Sequence, residues 1–231
     1  MNTPLRSAIR GKIGMRARDT IVRPDAKTIS DLARYGTDLV ADGMNRFGAI
    51  RGGIHSLNPG WRMAGPACTV RARPGDNLII QYALSVAQPG DVLVVSTCGH
   101  ADNAVWGELM NLAALKLGLA GVVTDGGARD LPLLRDAGFP VFAAGITPTA
   151  CDKDGPGEVN FPVALGHVPV LPGDIVIGDD DGVVVVSPAD VADILEGIKA
   201  KLESETRRRA EIASGKVVPD AVIAAVEKRF I

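Results

Sequence analysis

The 231-residue sequence contains only three histidines and three cysteines, and neither residue type occurs in a spacing that binds zinc. The histidines form no HxxxH or HExxH motif, and the cysteines form no CxxC pair. A zinc centre built on these residues is therefore not expected. Because three cysteines leave one unpaired in any disulfide scheme, the composition favours a reducing, cytoplasmic environment. The residues are His55, His100, His167, Cys68, Cys98 and Cys151.

Several common functional motifs are also missing. The chain has no GxxxxGK loop, no GxGxxG sequence and no GxSxG elbow. Their absence argues against a P-loop, a standard dinucleotide site and an α/β-hydrolase nucleophile. No segment reaches the roughly 20 apolar residues that a membrane span requires. The net charge of -2 and the isoelectric point near 5.9 provide no positive field for a polyanion, so neither a membrane nor nucleic acid is expected as a partner.

Length and composition predict one α/β domain with two flanking segments. Hydrophobic residues make up 46% of the chain and charged residues 23%, as in ordinary globular proteins. We expect a basic N-terminal extension over residues 1–23, acting as a flexible or oligomer-packing arm. A single α/β catalytic domain over residues 24–187 and a C-terminal helical arm over residues 188–231 complete the expected organisation.

Three Pro-Gly-Asp sequences, at residues 74–76, 89–91 and 172–174, mark turns. The first precedes NLIIQYALSVA, whose apolar spacing predicts a helix that Asp76 caps. The second and third precede the apolar runs VLVVS and IVIG, which predict buried strands. The segment DIVIGDDDGVVVVSP predicts a β-hairpin, because two apolar runs flank an Asp-Gly turn. A long charged helix is expected to follow this hairpin.

The centre of the chain alternates between strands and helices, which predicts parallel strand pairing. A helix is expected from Trp106 to Gly118, a strand over residues 121–125, and a second helix that ends at Gly138. Two strand-to-helix junctions result, with the sequences STCGHADNAVWGELM and TDGGARD. If the two strands are neighbours, both junctions face one crevice at the strand ends, where open α/β sheets bind ligands.

The first junction is a candidate anion site. It brings Gly107, Glu108, Leu109 and Met110 to the start of a helix. The free N–H groups and the positive dipole end of a helix favour a bound carboxylate or phosphate. Compensation of the helix dipole is the alternative explanation for Glu108, and it stays open at this point.

The second junction supplies a cation and a carboxylate. Two glycines are expected to allow close passage and a sharp turn before Arg129 and Asp130. Asp130 alone can hold Mg²⁺ or Mn²⁺, because such ions keep several waters and take further oxygens from substrate. Arg129 can stabilise a developing oxyanion, and Glu108 can orient a water of the metal shell. These parts suit carbon–carbon cleavage beside the ketone of a 2-oxo acid, whereas a helix cap with a surface ion pair is the purely structural alternative.

Two lysines offer a different chemistry. Lys116 or Lys153 could form a Schiff base with a carbonyl substrate. The position of Lys116 near a helix C-terminus and of Lys153 in a mobile loop explains both residues without catalysis. The acidic run over residues 179–181 is interpreted as a solvated hairpin turn rather than a cation site.

A set of motifs resembles one known family. They are similar to those of the metal-dependent 4-hydroxy-4-methyl-2-oxoglutarate / 4-carboxy-4-hydroxy-2-oxoadipate aldolases. The same superfamily includes RraA, the non-enzymatic regulators of ribonuclease E. The resemblance runs from about Pro24 to Gly215. In chain order, the motifs are GDVLVVS, WGELM, GVVTDGGARD, FPV, GEVNFPVALG and PGDIVIGDDDGVVVV.

The resemblance implies roles for the junction residues. Asp130 is implied as the direct metal ligand, Arg129 as the contact to substrate and enolate, and Glu108 as part of the water network around the metal. The backbone amides of Leu109 and Met110 are implied to hold the pyruvyl carboxylate. The implied activity is that of a class II pyruvate aldolase, which cleaves a 4-hydroxy-2-oxo acid and decarboxylates oxaloacetate through the same enolate.

The resemblance also implies an architecture and an assembly. The implied fold is an αββα sandwich similar to the swivelling phosphohistidine domain, in homotrimers or hexamers with sites at subunit interfaces. Glu205 on the C-terminal helix is implied to reach a neighbouring subunit's site. This charged helix favours the enzyme, because the regulators generally stop short of it, whereas the sequence after Gly215 departs from the aldolases. A regulator of ribonuclease E and a hydratase or dehydratase of a related sugar acid remain as alternatives.

Overall fold

Most strands of the chain join one mixed sheet. A computed structural model describes residues 9–51 and 53–230, which form thirteen β-strands and seven α-helices. The strands are β1 (Ile9–Lys12), β2 (Met15–Arg18), β3 (His55–Ser56), β4 (Met63–Ala72), β5 (Val92–Ser96), β6 (Ala104–Trp106), β7 (Gly121–Ala128), β8 (Val141–Ile146), β9 (Gly157–Val159), β10 (Val163–Leu165), β11 (Val168–Val170), β12 (Ile175–Asp179) and β13 (Gly182–Val186). The helices are α1 (Ala26–Ala33), α2 (Thr37–Gly43), α3 (Leu78–Ala83), α4 (Glu108–Leu117), α5 (Leu131–Ala137), α6 (Val191–Ala213) and α7 (Asp220–Glu227).

The sheet has the strand order β1-β2-β9-β4-β5-β7-β8-β3, with β6 beside β7 and with β12 joining β4 to β13. The pairs β4–β5, β5–β7 and β7–β8 are parallel, which confirms the pairing expected for the centre of the chain. β12 and β13 form the expected antiparallel hairpin, which closes where Asp179 lies opposite Gly182. β10 and β11 form a separate two-stranded sheet.

Alternate residues of the strands face different cores. In β5, Leu93 and Val95 pack in a core with α3, α4 and α5, whereas Val94 faces a middle core. In β12, Val176 belongs to the same middle core, whereas Ile177 packs in a third core with α1, α2 and α6. The β12–β13 part of the large sheet faces β5, β7 and β8 across the middle core and forms a second sheet layer. The layers therefore follow the order helix, sheet, sheet, helix in a mixed α/β fold.

The N-terminal part of the described chain is a β-hairpin. β1 and β2 pair with Ile9 opposite Arg18, and β2 joins β9 in parallel. Residues 9–18 of the expected basic extension are thus an edge of the sheet and not a free arm. Residues 1–8 of that extension lie outside the described residues.

Several predicted elements have different bounds in the structure. The helix expected over residues 77–87 is shorter and ends at Ala83. The strand expected over residues 121–125 continues to Ala128, because its last residues pair with β8. α4 begins at Glu108, two residues later than expected, and ends at Leu117, where the predicted Gly118 caps it with the left-handed φ of 73° that suits glycine.

The C-terminal arm extends from the body of the protein. α6 packs in the third core through Val191, Ile194 and Ile198. No residue from 199 to 230 is buried, and α7 exposes apolar side chains that include Val222 and Ile223. Over the ranges that the structure describes, no helix has both the length and the apolarity of a membrane span.

A buried ion pair joins the segment before α1 to the turn before β5. Loss of this ion pair is expected to destabilise the fold. Arg23 Nε and Nη2 lie 2.8 and 2.7 Å from the two carboxylate oxygens of Asp91, which has no exposed surface. Arg23→Ala leaves this carboxylate without its cation, at an expected cost of about 3–5 kcal/mol in the free energy of unfolding.

Urea unfolding measures this effect. Lys27→Ala is the control, because it removes the exposed pair of Lys27 with Asp31 and is expected to shift the midpoint little. A shift for Arg23→Ala as small as that of the control would contradict the structural role of the buried pair.

Candidate active site

The two predicted junctions meet in one cavity of about 330 Å³. Because β6 and β7 are neighbours, the start of α4 and the end of β7 lie side by side. All six site residues predicted at the junctions line this cavity, and their chemical roles stay predictions. They are Gly107, Glu108, Leu109, Met110, Arg129 and Asp130.

The start of α4 presents free backbone donors to the cavity. The Glu108 N–H donates to Asp130 Oδ2 over 3.2 Å, and Gly107 has no side chain to cap the helix. Within the described part of the chain, the N–H groups of Leu109 and Met110 have no acceptor. Since these groups carry the positive end of the helix dipole, they form a suitable place for a carboxylate.

The end of β7 presents a carboxylate in an uncommon backbone conformation. Asp130 has φ 61° and ψ 34°, in the left-handed region that few residues other than glycine adopt. Such a conformation costs on the order of 1 kcal/mol, and it concentrates at functional sites. It places Asp130 Oδ2 3.6 Å from Arg129 Nε, with the two side chains 37% and 46% exposed.

The Asp130 carboxylate fits a divalent cation. Its Oδ2 atom accepts the Glu108 N–H, whereas its Oδ1 atom accepts no hydrogen bond from the described residues. A partly exposed carboxylate oxygen is a hard ligand of the kind that Mg²⁺ and Mn²⁺ prefer. Among residues 9–51 and 53–230, no three His, Cys, Asp or Glu side chains gather in a metal-binding cluster, so a cation here would take its other ligands from water or substrate.

The two glycines before Arg129 allow close contact but do not form a turn. Gly126 and Gly127 lie inside β7, so the expected sharp turn was wrong. A Cβ on Gly127 would lie 2.6 Å from the carbonyl oxygen of Ala101, and one on Gly126 would lie 2.8 Å from Val105 Cγ2. The expected close passage is present, since the loop over residues 97–103 and the following strand β6 lie directly on the backbone of β7.

Asp125 anchors the same loop, and sequence reasoning gave it no role. Its buried carboxylate accepts the N–H of Thr97 over 2.5 Å and the N–H of Gly99 over 2.8 Å. The Thr97 hydroxyl adds a third bond over 2.9 Å. The Asp125 carboxylate therefore fixes the start of the loop that leads to α4. The two glycines leave room for the rest of the loop to lie against β7.

Residues from distant segments complete the cavity wall. The four with side chains longer than that of alanine are Asn77 and Gln81 at the start of α3, and Cys151 and Lys153 in the segment after β8, where Ala150 also lines the cavity. Lys153 adds a second positive charge beside Arg129. Burial raises the pKa of the Cys151 thiol, so this side chain stays uncharged at neutral pH. The Pro-Gly-Asp turn at residues 74–76 directly precedes Asn77 and could have indicated this part of the wall. The sequence analysis interpreted it only as a helix cap.

Glu205 does not line the cavity of its own chain. It lies on α6, where its carboxylate pairs with Arg209 over 2.9 Å and approaches Lys201 at 3.9 Å. A role in the site of a neighbouring subunit stays a prediction. In the acidic hairpin turn, Asp179 accepts the Thr37 N–H over 2.8 Å, which gives this residue a structural role.

Comparisons with known proteins identify relatives over most of the chain. A family model described as RraA-like, Aldolase/RraA, matches residues 37–185. A protein of Halalkalibacterium halodurans named "Putative 4-hydroxy-4-methyl-2-oxoglutarate aldolase" is 37% identical over 183 residues, which cover 79% of this chain and 87% of that protein.

Two solved structures are similar at comparable identity. RraAS2 of Streptomyces coelicolor, described as an unusual member of the RNase ES inhibitor RraA protein family, has a TM-score of 0.74 at 31% identity, covering 82% of this chain and 99% of that one. The RNA-processing inhibitor RraA from Thermus thermophilis has a TM-score of 0.60 at 32% identity, covering 66% and 92%.

The contact of Gly127 with the loop before α4 predicts a substitution that the fold does not accommodate. Gly127→Ala places a Cβ against the backbone oxygen of Ala101, which has little room to move. We expect a loss of about 1–3 kcal/mol in the free energy of unfolding, the usual effect of overpacking. Thermal and urea unfolding measure it.

Gly145→Ala is the matched control for this prediction. Gly145 lies opposite Gly127 on β8, and its added Cβ would meet Ala101 Cβ at an ordinary 3.5 Å. Equal stability of the two variants would show that the close contact does not constrain the loop.

Proposed function

The chain belongs to the RraA-like family, and we propose that it is a divalent-metal-dependent class II pyruvate aldolase. Its proposed substrates are 4-hydroxy-2-oxo acids of the 4-hydroxy-4-methyl-2-oxoglutarate or 4-carboxy-4-hydroxy-2-oxoadipate type. The observation that carries this proposal is the meeting of the Arg129–Asp130 pair and the open start of α4 in one cavity. The relative named as an aldolase supports lyase chemistry.

Asp130 is the proposed protein ligand of the metal, through the Oδ1 atom that is not occupied by the Glu108 N–H. When bound, Mg²⁺ or Mn²⁺ supplies Lewis-acid polarisation of the 2-oxo group. The free N–H groups of Leu109 and Met110 hold the carboxylate next to that group, because they lie at the positive end of α4. Lys153 holds a second carboxylate at another part of the cavity wall.

Cleavage requires a proton acceptor and stabilisation of an enolate. The C4 hydroxyl loses its proton, C4 becomes the carbonyl carbon of the second product as the bond between C3 and C4 breaks, and the electron pair of that bond remains on the pyruvate enolate. Arg129 stabilises the enolate oxygen through its guanidinium, and the enolate takes a proton at C3 to become pyruvate. Glu108, through an ordered water, serves as acid or base in these transfers. Oxaloacetate loses carbon dioxide to give the same enolate, so its decarboxylation is the expected side activity.

The proposal includes an assembly. Glu205 completes the acid–base network in the cavity of a neighbouring subunit, within a homotrimer or a hexamer. This assignment rests on the arm beyond Ile198, where none of residues 199–230 is buried and the contacts with the body include Leu202 against the third core and the Lys201–Asp42 pair. We further propose residues 24–187 as the catalytic domain, residues 1–23 as an N-terminal extension and residues 188–231 as the helical arm. The layer order supports a likeness to the swivelling phosphohistidine domain.

Loss of the Asp130 carboxylate is expected to abolish turnover. Asp130→Asn keeps the size of the side chain but weakens the metal ligand. Even residues that only support metal ligands often contribute 10–100-fold, so we expect a loss of at least about 100-fold. Pyruvate release from oxaloacetate and from 4-carboxy-4-hydroxy-2-oxoadipate, coupled to lactate dehydrogenase and NADH, measures it with Mg²⁺ and then with EDTA.

Asp136→Asn is the control, because Asp136 is an exposed carboxylate on α5 and does not line the cavity. EDTA is expected to remove the activity of this control and of the wild type. Wild-type rates in Asp130→Asn, or full activity in EDTA, would refute the proposed metal site.

Arg129→Lys tests whether the reaction needs the planar guanidinium. A lysine keeps the charge but cannot present two fixed donors to the enolate and the carboxylate. We expect kcat to fall about 100-fold, the typical effect of losing one donor to an oxyanion. Steady-state kinetics with oxaloacetate measure this change. An unchanged kcat would assign Arg129 to the surface ion pair with Asp130 alone.

A regulator of RNA processing is the second candidate function. The observation in its favour is the similarity to two solved structures described as such inhibitors. A regulator would bind a ribonuclease of the E type at micromolar concentration or tighter, with no metal-dependent release of pyruvate from either substrate. A hydratase or dehydratase would instead consume substrate without forming pyruvate, and product analysis identifies it.

A further inference from the structure

The three Pro-Gly-Asp turns differ in what their carboxylates hold. Asp91 accepts the N–H of Gln88 over 2.8 Å and the Arg23 side chain, and Asp174 accepts the N–H of Leu171 over 2.7 Å, so the backbone that both bind lies within their own turns. Asp76 is different, because it also binds backbone almost 80 residues further along the chain. This difference points to a role for Asp76 beyond the local turn.

The Asp76 carboxylate is almost fully saturated with donors. Its Oδ1 atom accepts the N–H of Leu78 over 2.8 Å. Its Oδ2 atom accepts the N–H groups of Asp154 over 2.8 Å and Gly155 over 2.6 Å, and Arg73 Nη2 lies 3.1 Å away. Only 1% of the residue is exposed. Burial alone would raise the pKa of Asp76, but these donors outweigh burial and lower it, so the carboxylate stays ionised at neutral pH.

The backbone of Gly155 packs closely against the Asp76 carboxylate. A Cβ on Gly155 would lie 2.9 Å from Asp76 Cγ and from its Oδ2 atom. Two backbone hydrogen bonds run beside the carboxylate, from Asp152 N–H to Gly75 O over 2.8 Å and from Asn77 N–H to Asp152 O over 3.0 Å. The segment over residues 152–155 is thus fixed to the turn before α3.

The two segments that Asp76 joins are both walls of the cavity. Asn77 and Gln81 line it from α3, and Cys151 and Lys153 line it from the segment after β8. That segment is held at its other end by Asn103, whose Nδ2 donates to the Ala150 carbonyl over 2.6 Å. Lys153 therefore lies between two anchors, one before it and one after it.

We propose that Asp76 is a positioning residue of the candidate active site, and that it fixes the backbone of Lys153 so that the ammonium stays in the cavity wall. The inference rests on the proposed function, in which Lys153 holds a second carboxylate of the substrate. A lysine has a long flexible side chain, so a fixed backbone limits the volume that its charge explores. Displacement of a binding group by about 1 Å can cost as much as 100-fold.

Asp76→Asn tests this role, with Asp174→Asn as the matched control. Both variants replace a buried carboxylate of a Pro-Gly-Asp turn, but Asp174 does not line the cavity. In Asp76→Asn we expect KM for 4-carboxy-4-hydroxy-2-oxoadipate to rise about tenfold with kcat changed less than about twofold, the pattern of lost ground-state binding. Asp174→Asn is expected to leave both constants unchanged.

A double-mutant cycle with Lys153→Ala separates positioning from a general structural effect. If Asp76 acts through Lys153, adding Asp76→Asn to Lys153→Ala produces no further rise in KM. Additive effects on KM, or a fall in kcat alone, would overturn the inference. Gly155→Ala disturbs the same contact from the other side and replaces Asp76→Asn if that variant does not fold.

Amide hydrogen exchange distinguishes failure of this inference from failure of the proposed function. Asp76→Asn is expected to speed exchange at Asp154 and Gly155 by about tenfold or more, whereas Asp174→Asn leaves these amides unchanged. Wild-type exchange in Asp76→Asn would overturn the anchoring, whatever the activity. Faster exchange in a protein whose wild type releases no pyruvate would instead refute the proposed function.

Discussion

The direct contact between the loop over residues 97–103 and the backbone of β7 is the constraint on which the site depends. Gly126 and Gly127 have no side chains, so the loop approaches to a distance that any Cβ would prevent. The loop leads into β6, which pairs with β7, and the first N–H of α4, that of Glu108, donates a hydrogen bond to Asp130. Without this contact, the Arg129–Asp130 pair and the free N–H groups of α4 would lie on separate parts of the surface.

Buried carboxylates hold the loops on two sides of the cavity. Asp125 binds the backbone of Thr97 and Gly99, and Asp76 binds that of Asp154 and Gly155. Charged acceptors make stronger hydrogen bonds with N–H groups than neutral acceptors do. Several such bonds to one carboxylate restrict a loop without any regular secondary structure. Side chains of the cavity wall such as Lys153 can therefore stand on loops and still keep fixed positions.

Local patterns predicted the elements and the two junctions, because strand alternation, glycine stops and helix starts are properties of neighbouring residues. The β12–β13 hairpin and the closeness of Glu108 to Asp130 are examples. The remaining features depend on contacts between distant segments. Gly127 looks like a turn residue until the loop that covers it is known, and Lys153 lies in the cavity wall on a segment whose backbone binds Asp76, far away in the sequence. The left-handed conformation of Asp130 also had no signal in the sequence, because aspartate is common in every kind of turn.

The polar groups of the candidate site lie outside the three cores, whereas Trp106 and Met110 line the cavity and also pack in the first core. Strand interiors such as Leu93 and Ile177 fill the cores, whereas Glu108, Arg129 and Asp130 stand beyond the strand ends and belong to none of them. A substitution at these polar positions removes no packed apolar contact. Substitutions at these positions can therefore change the reaction, while the three cores keep most of the folding free energy. Among proteins descended from such a chain, a shared fold therefore indicates common ancestry more reliably than it indicates a shared activity.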